Sequence, residues 1–368
     1  GLGICTSDSS FSLHLRFRMQ NRFLMNTVSD ENLNPASWEA RVRRCRLSFA
    51  GHILDQRLTY YLQLSFSRGD MDWNAPDGSV INTSPNVVRD AVVYYRPFRQ
   101  LQVGLGQTKL PGNRQRVISS GAQQFYDRSI VNALFTLDRD FGIFAHYSGT
   151  IVRDFRFGIK GAVSSGEGRN NIVNNSGLAY TARLELLPLG KFTDEGDYFE
   201  GDLVREGKPK ISLGVVYHYN DLAMRSQGQL GRDLLSPKSY SAFIADFLLK
   251  YKGIALSSEY LRRDHDNPVS SSATSRSSLN VGSGLNSQLS YCFKNRYEMA
   301  MRHSITSLNI DNNLEARINQ QIGLGVTKYL NKHKVKLQFN IFRDDVHDKI
   351  KQRRTAYYFA VFQVELGI

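Results

Sequence analysis

The chain has 368 residues, and its 47 Lys and Arg exceed its 34 Asp and Glu by a net charge of +13. No stretch approaches about 18 consecutive apolar residues, which excludes a membrane-spanning helix. Three cysteines without metal-ligand spacing exclude a disulfide framework and a zinc site. The basic balance leaves anionic partners, which are nucleic acid, a membrane surface or small anionic solutes.

The first predicted element, residues 11–20, has a repeat of two residues. Its apolar row is Phe11, Leu13, Leu15, Phe17 and Met19, and its polar row is Ser12, His14, Arg16, Arg18 and Gln20. A repeat of two is that of a β-strand, whose successive side chains point to opposite faces. A large apolar face backed by arginines suits a strand that separates lipid from a watery lumen.

Fifteen further segments repeat this pattern along the chain. They are 39–54, 56–68, 89–97, 101–110, 139–148, 154–164, 178–188, 209–220, 239–252, 254–263, 279–293, 296–305, 315–331, 333–344 and 358–368. About 9–11 residues suffice for a tilted strand to cross a bilayer. The sequence therefore predicts an all-β protein, a transmembrane antiparallel β-barrel of 16 strands in a bacterial outer membrane, with residues 1–368 as a single domain.

The predicted connections alternate between long and short. Long ones run over 21–38, 69–88 and 111–138, and most of the intervening ones have two or three residues. Short periplasmic turns and long extracellular loops are typical of such barrels. The charged connection 189–208 is an exception, because it is long although it lies on the side of the short turns. We expect it to extend into solvent.

The apolar row of each strand assigns its polar row to the lumen. This places Arg16, Arg18, Arg44, Arg46 and Arg96 inside. A lipid-facing Arg or Lys costs about 2–4 kcal/mol at the bilayer midplane, which supports the assignment. Because the basic residues are spread over alternating strands, nucleic-acid binding is not expected.

The connection 111–138 contains arginines and large apolar residues together. Arg114, Arg116 and Arg128 lie within it, and Lys109 and Arg139 flank it. Phe125, Val131 and Phe135 need an apolar surface, so we predict that the connection folds into the barrel as a constriction loop. Its guanidinium groups would offer forked donors to phosphate, sulfate or carboxylate.

Several segments resemble the phosphate-selective porin family called porins O and P. They are RRCRL at 43–47, RDA at 89–91, VGLGQTKLPG at 103–112, RDFG at 139–142 and SEY at 258–260. The resemblance implies a sixteen-stranded porin that passes small anions, often as a homotrimer. The connection 111–138 is rich in Arg, whereas the family's phosphate channels have a Lys cluster at the constriction.

The sequence therefore predicts an outer-membrane porin for passive diffusion of small anionic solutes, with phosphate as a candidate. The alternative is a structural barrel subunit of a larger envelope complex. The chain has no Gly-x-Ser-x-Gly, His-Glu-x-x-His or Walker loop, so we predict no enzyme, no catalytic residues, no cofactor and no metal. The expected partners are outer-membrane lipids, lipopolysaccharide and small anions.

Overall fold

The protein folds into a closed β-barrel. The computed structural model describes residues 1–67, 86–171, 175–272, 275–311 and 314–368. The described residues form sixteen wall strands: β1 (Ser12–Thr27), β2 (Pro35–Ile53), β3 (Asp55–Ser65), β4 (Val88–Phe98), β5 (Leu101–Lys109), β6 (Arg139–Val152), β7 (Phe155–Ser164), β8 (Ala179–Leu187), β9 (Lys210–Arg225), β10 (Asp233–Tyr251), β11 (Ile254–Asp264), β12 (Val281–Cys292), β13 (Tyr297–Asp311), β14 (Leu314–Asn331), β15 (Val335–Asp348) and β16 (Arg353–Gly367).

Each strand pairs antiparallel with its neighbours in sequence, and β16 pairs with β1 to close the ring. Closure removes the unpaired backbone groups that an open edge would expose to lipid. The short strand Leu2–Cys5 pairs with the start of β1. Outside the wall, Val269–Ser271 and Arg276–Ser278 form a small hairpin. The predicted fold, an antiparallel barrel of sixteen strands, is confirmed.

The two-residue repeat separates the two faces of the wall. On β15, Lys336, Gln338 and Asn340 are buried in the barrel, whereas Phe339 and Ile341 are exposed on its outside. Contact between an outward apolar face and lipid chains stabilises the barrel. The alternation in sequence therefore identifies the inward side chains correctly on this strand.

The first long connection is shorter than predicted. Strand β1 continues to Thr27 and β2 begins at Pro35, so the connection covers 28–34 rather than 21–38. Phe23 and Trp38 explain the extension, because their rings stack across the two strands with centroids 6.2 Å apart. Most of the predicted connection 69–88 lies outside the described residues.

The connection 111–138, called the inner loop below, lies inside the barrel. It contains two short helices, α1 (Arg114–Val117) and α2 (Ile130–Phe135). Val131 and Phe135 of α2 pack with inward-facing apolar residues of the wall, which are Val216, Ile244, Leu261 and Leu308. One apolar cluster therefore lies in the lumen between α2 and β6–β13, and a second one packs Phe125 of the inner loop against Phe342 of β15 and Phe359 of β16. Among the described residues, no helix is long and apolar enough to cross a membrane.

The connection between β8 and β9, residues 188–209, also folds into the barrel. We call it the β8–β9 insert. Glu200, Asp202 and Glu206 are buried, so the predicted extension of 189–208 into solvent is wrong for this part of the connection, whereas Asp194 and Glu195 are exposed. The insert is held by polar partners that its sequence does not reveal: Lys250 Nζ donates to the carbonyls of Gly196 (2.7 Å) and Phe199 (2.9 Å).

Candidate functional site: a cationic cavity beside the inner loop

The inner loop leans on one side of the barrel and leaves a cavity of about 640 Å³ on the other side. The cavity faces β2–β6. Nine cations line it, Arg43, Arg44, Arg46, Arg89, Lys109, Arg116, Arg128, Arg139 and Arg169, together with three carboxylates, Asp90, Asp127 and Asp138. Cations exceed carboxylates threefold among the described lining residues, and a charged cleft with low-dielectric walls concentrates ions of the opposite sign.

Asp127 of the inner loop receives arginines from the wall. Its Oδ2 accepts from Arg43 Nε (3.0 Å) and Nη2 (2.8 Å), and its Oδ1 accepts from Arg44 Nη2 (2.7 Å). Arg22 Nη1 lies 3.6 Å from Oδ2. A register shift between β1 and β2 adds Arg43 as an extra residue opposite Gln20 and Asn21. This bulge allows two consecutive arginines to reach one carboxylate.

The carboxylates of Asp90 and Asp138 hold Arg139 at the start of β6. Arg139 donates to both oxygens of Asp90, at 2.9 and 3.1 Å, and lies 3.3 Å from Asp138 Oδ1. Arg116 of α1 also donates to Asp138 Oδ1, from Nε at 2.7 Å. These ion pairs neutralise part of the charge of the cavity, because each Asp offsets one of the surrounding cations.

Lys109 and Arg128 bind backbone carbonyls instead of carboxylates. Lys109 Nζ donates to Val117 O (2.7 Å), and Arg128 donates to Gln115 O (2.7 Å) and Ile118 O (2.9 Å). Within the part of the chain that the structure describes, neither side chain forms an ion pair with an acidic residue. Neither side chain is therefore neutralised by a carboxylate that it contacts.

The pKa values of loop residues reflect the cationic surroundings. Burial would raise the pKa of Asp127, but Arg44 and Arg43 outweigh it and hold that pKa well below its usual value. Burial, and after it Arg116 and Arg44, lowers the pKa of Arg128 well below its ordinary value. An arginine keeps its proton at neutral pH, so Arg128 stays charged despite its burial and its cationic neighbours.

Arg114, predicted as a pore residue, lies outside this cavity. It is buried, and its guanidinium donates to Asp246 Oδ1 (2.6 Å), Ser212 Oγ (2.7 Å) and the carbonyl of Asp197 (3.0 Å). Arg183 of β8 donates to the same Asp246, at 2.7 Å. Arg114 therefore anchors the inner loop to the wall.

The wall residues predicted for the pore are divided among three places. Arg44 and Arg46 line the cavity. Arg18 Nη2 and Arg46 Nη1 donate to Ser120 Oγ of the inner loop, at 2.6 and 3.2 Å. Arg16 and Arg96 are exposed and are not among the lining residues. Parity assigns a side chain to a face of the wall but does not give its height along the barrel.

Three lining residues were not predicted as pore residues: Arg43, Arg89 and Arg169. The two-residue repeat points Arg43 away from the lumen, and only the bulge in β2 brings it in. Arg89 precedes Asp90 at the start of β4, and Arg169 belongs to the connection between β7 and β8. No periodic signal covers a connection, so Arg169 could not have been found from the repeat.

The β8–β9 insert meets the inner loop in the middle of the lumen. Glu200 Oε2 accepts from the backbone N–H of Gln124 (2.9 Å) and from Gln288 Nε2 (3.3 Å), and Glu200 N donates to Ala122 O (2.8 Å). Only about 20 Å³ of open space remains in the cavity at this junction. The two segments together therefore occupy the lumen opposite the cationic cavity.

Replacing Glu200 with alanine is expected to loosen this junction and raise the single-channel conductance. The change leaves the buried backbone N–H of Gln124 without its acceptor, at about 1–3 kcal/mol, and leaves Gln288 Nε2 with Gln124 Oε1 as its remaining acceptor. Planar-bilayer recording of the purified barrel measures the effect. Glu195→Ala is the matched control, because Glu195 is an exposed residue of the same insert. Equal conductance in the two variants would contradict a sealing role for Glu200.

Comparison with known proteins identifies the class of barrel. Residues 13–192 match the family model of phosphate-selective porin O and P. The predicted family resemblance is confirmed. The chain is a porin-type barrel of the bacterial outer membrane, and residues 13–192 carry its likeness to this family. No curated protein matches it significantly.

Solved structures similar to the porin share its fold at low identity. OmpTdeltaL8, a loop L8 deletion mutant of OmpT of Vibrio cholerae, is 10% identical with a TM-score of 0.61, over 98% of this chain and 100% of that one. The outer membrane channel DcaP of Acinetobacter baumannii is 9% identical with a TM-score of 0.59, over 99% of this chain and 99% of that one. The anion-selective porin from Comamonas acidovorans is 12% identical with a TM-score of 0.56, over 97% of this chain and 100% of that one. These likenesses concern the fold alone.

Proposed function

We propose that this porin passes small anionic solutes by passive diffusion through the cavity beside the inner loop. The observation that carries the proposal is the excess of cations in that cavity, with Lys109 and Arg128 lacking an acidic partner among the described residues. Fixed positive charge in a narrow passage raises the local concentration of anions and excludes cations. The anion-selective porin from Comamonas acidovorans has the same fold, which is consistent with this class of solute.

In this proposal the inner loop is the constriction of a single barrel domain. Its apolar side chains pack on β9–β13 and on β15 and β16, and its polar side faces β2–β6 across the cavity. Phosphate is a candidate solute because arginine forks match its oxygen pairs. We also propose contacts with outer-membrane lipids and lipopolysaccharide on the outer face, and a homotrimer as the assembled form.

Reversal potentials in a salt gradient test the proposed selectivity. The purified porin in a planar bilayer, with KCl about tenfold more concentrated on one side, should give a potential of the sign set by chloride. Single-channel conductance in potassium phosphate against potassium chloride then tests phosphate. A cation-selective potential, or the absence of conductance, would contradict the proposal.

A structural barrel within a larger envelope complex is the second candidate. The observation that favours it is the junction between the inner loop and the β8–β9 insert, which occupies the lumen opposite the cavity. Gentle detergent extraction separates the two functions. Other proteins that co-purify in fixed ratio would support the scaffold, and a lone oligomer of this chain that conducts would support the channel.

A further inference from the structure

The arginine clamp formed by Arg22, Arg43 and Arg44 already holds an anion, the carboxylate of Asp127. We propose that Asp127 is a built-in counter-anion that occupies this clamp and so limits how tightly the pore retains a permeating anion. The inference rests on the proposed function and assigns a specificity-determining residue to it.

The geometry of the clamp is that of a bound oxyanion. Both Asp127 oxygens accept charge-assisted hydrogen bonds of 2.7–3.0 Å from two guanidinium groups. The Arg22 and Arg44 side chains are only 5% and 3% exposed, so they are largely shielded from water. Paired N–H donors at this spacing suit any carboxylate or phosphate oxygen pair. A free anion of either kind would therefore compete with Asp127 for the same donors.

The backbone around Asp127 is held by other contacts. Tyr126 N donates to Asn340 Oδ1 (2.9 Å), and Arg302 Nη1 donates to the carbonyl of Asp127 (2.9 Å). The Arg128 guanidinium is fixed by two further carbonyls of the inner loop, and the Arg128 backbone N–H loses only its bond to Asp127 Oδ1 (3.0 Å) in the variant. Removing the Asp127 carboxylate is therefore expected to open the clamp while the inner loop stays in place.

Conduction requires that an ion bind well enough to enter and weakly enough to leave. Without the Asp127 carboxylate, Arg43 and Arg44 would form a strong binding site for an oxyanion, beside Arg22, which keeps Glu39 Oε1 as a partner at 3.2 Å. With Asp127 in the clamp, an entering anion meets its repulsion and the remaining attraction of Lys109 and Arg128. The carboxylate thus weakens the binding of a permeating anion and raises the rate at which the anion leaves the clamp.

The test is block of chloride current in the Asp127→Ala porin. Inorganic phosphate and acetate are added separately, and the concentration that halves the single-channel chloride current is measured. We expect at least about a tenfold lower half-blocking concentration than in the wild type, which corresponds to about 1.4 kcal/mol of tighter binding. The variant Asp127→Ala/Arg43→Gln should lose most of this gain, because one arm of the clamp is missing.

Asp30→Ala is the matched control for charge. Asp30 also pairs with an arginine, Arg343, at 2.7 Å, but neither residue lines the cavity. The control should have the same half-blocking concentrations of phosphate and acetate as the wild type. Suppose that Asp127→Ala has the same half-blocking concentration as the wild type and that the wild type is anion-selective. The counter-anion role is then wrong and the proposed function stands. A cation-selective wild type would instead refute the proposed function.

A second comparison applies if Asp127→Ala does not fold. In the wild-type background, Arg43 already faces the charge of Asp127, whereas Arg128 has no acidic partner among the described residues. Arg43→Gln should therefore lower the anion preference by less than half as much as Arg128→Gln does. Equal losses in the two variants would overturn the inference.

Discussion

The porin in which Lys109 and Arg128 are both replaced by glutamine is expected to lose most of its preference for anions. Both cations lie on the cavity and hydrogen-bond to carbonyls. At an effective dielectric of about 20, a unit charge about 8–10 Å away contributes about 2 kcal/mol, before screening by salt. Two such charges contribute about 4 kcal/mol unscreened, and screening with a Debye length of about 10 Å reduces the sum to about 1.5 kcal/mol. Because 1.4 kcal/mol is a factor of ten, we expect the anion-to-cation permeability ratio to fall about tenfold. Reversal potentials measure the ratio.

The matched control removes the same two units of charge elsewhere. Arg16 and Arg96 are exposed residues of the wall that do not line the cavity. The double replacement Arg16→Gln/Arg96→Gln should change the permeability ratio less than about twofold, because exposed charges are screened within about 10 Å. If the two double variants lose selectivity equally, the selectivity would depend on overall charge rather than on the cavity.

The contrast between Arg114 and Arg128 shows how far the sequence predicts the site. Both residues lie in the same basic connection and had the same predicted role. In the structure Arg114 binds a buried aspartate, whereas Arg128 binds two carbonyls at the edge of the cavity. Asp246, the partner of Arg114, is 132 positions away in the chain. Composition and spacing carry no information about such a long-range pair, so only the folded barrel separates the two roles.

The wall was more predictable than the lumen for a physical reason. Lipid on one side and polar surroundings on the other impose a repeat of two on every strand, and the sequence shows this repeat directly. Inside the barrel, segments without a repeat decide the shape of the passage. The β8–β9 insert reads as a charged surface connection, yet Lys250 and the backbone N–H of Gly253 supply partners for its buried carbonyls and for Asp202. Charge in a connection therefore does not predict exposure when the lumen itself is polar.

The porin with Asp246 replaced by alanine is expected to be much less stable and to conduct more. Asp246 accepts from Arg183 at 2.7 and 3.2 Å and from Arg114 at 2.6 Å, and all three side chains are at most 3% exposed. Removing one partner of a buried ion pair leaves an uncompensated charge, at about 3–5 kcal/mol. The inner loop loses its anchor at α1, so the open-channel current should rise. Heat- or urea-induced loss of the barrel in detergent measures the stability.

Two comparison variants separate the orphaned charge from the loss of packing. Asp266→Ala changes an exposed aspartate and should cost less than about 0.5 kcal/mol. The triple variant Asp246→Leu/Arg114→Met/Arg183→Met removes the Arg114–Asp246–Arg183 triad and leaves Glu185 paired with Lys160. Replacing a complete buried ionic triad by apolar side chains is often neutral. It should therefore recover most of the stability lost in Asp246→Ala. It should also retain the anion preference, because the proposed function assigns the selectivity to Lys109 and Arg128 and not to Arg114. Loss of selectivity in the triple variant would indicate that Arg114 acts in the pore and would contradict its role as an anchor.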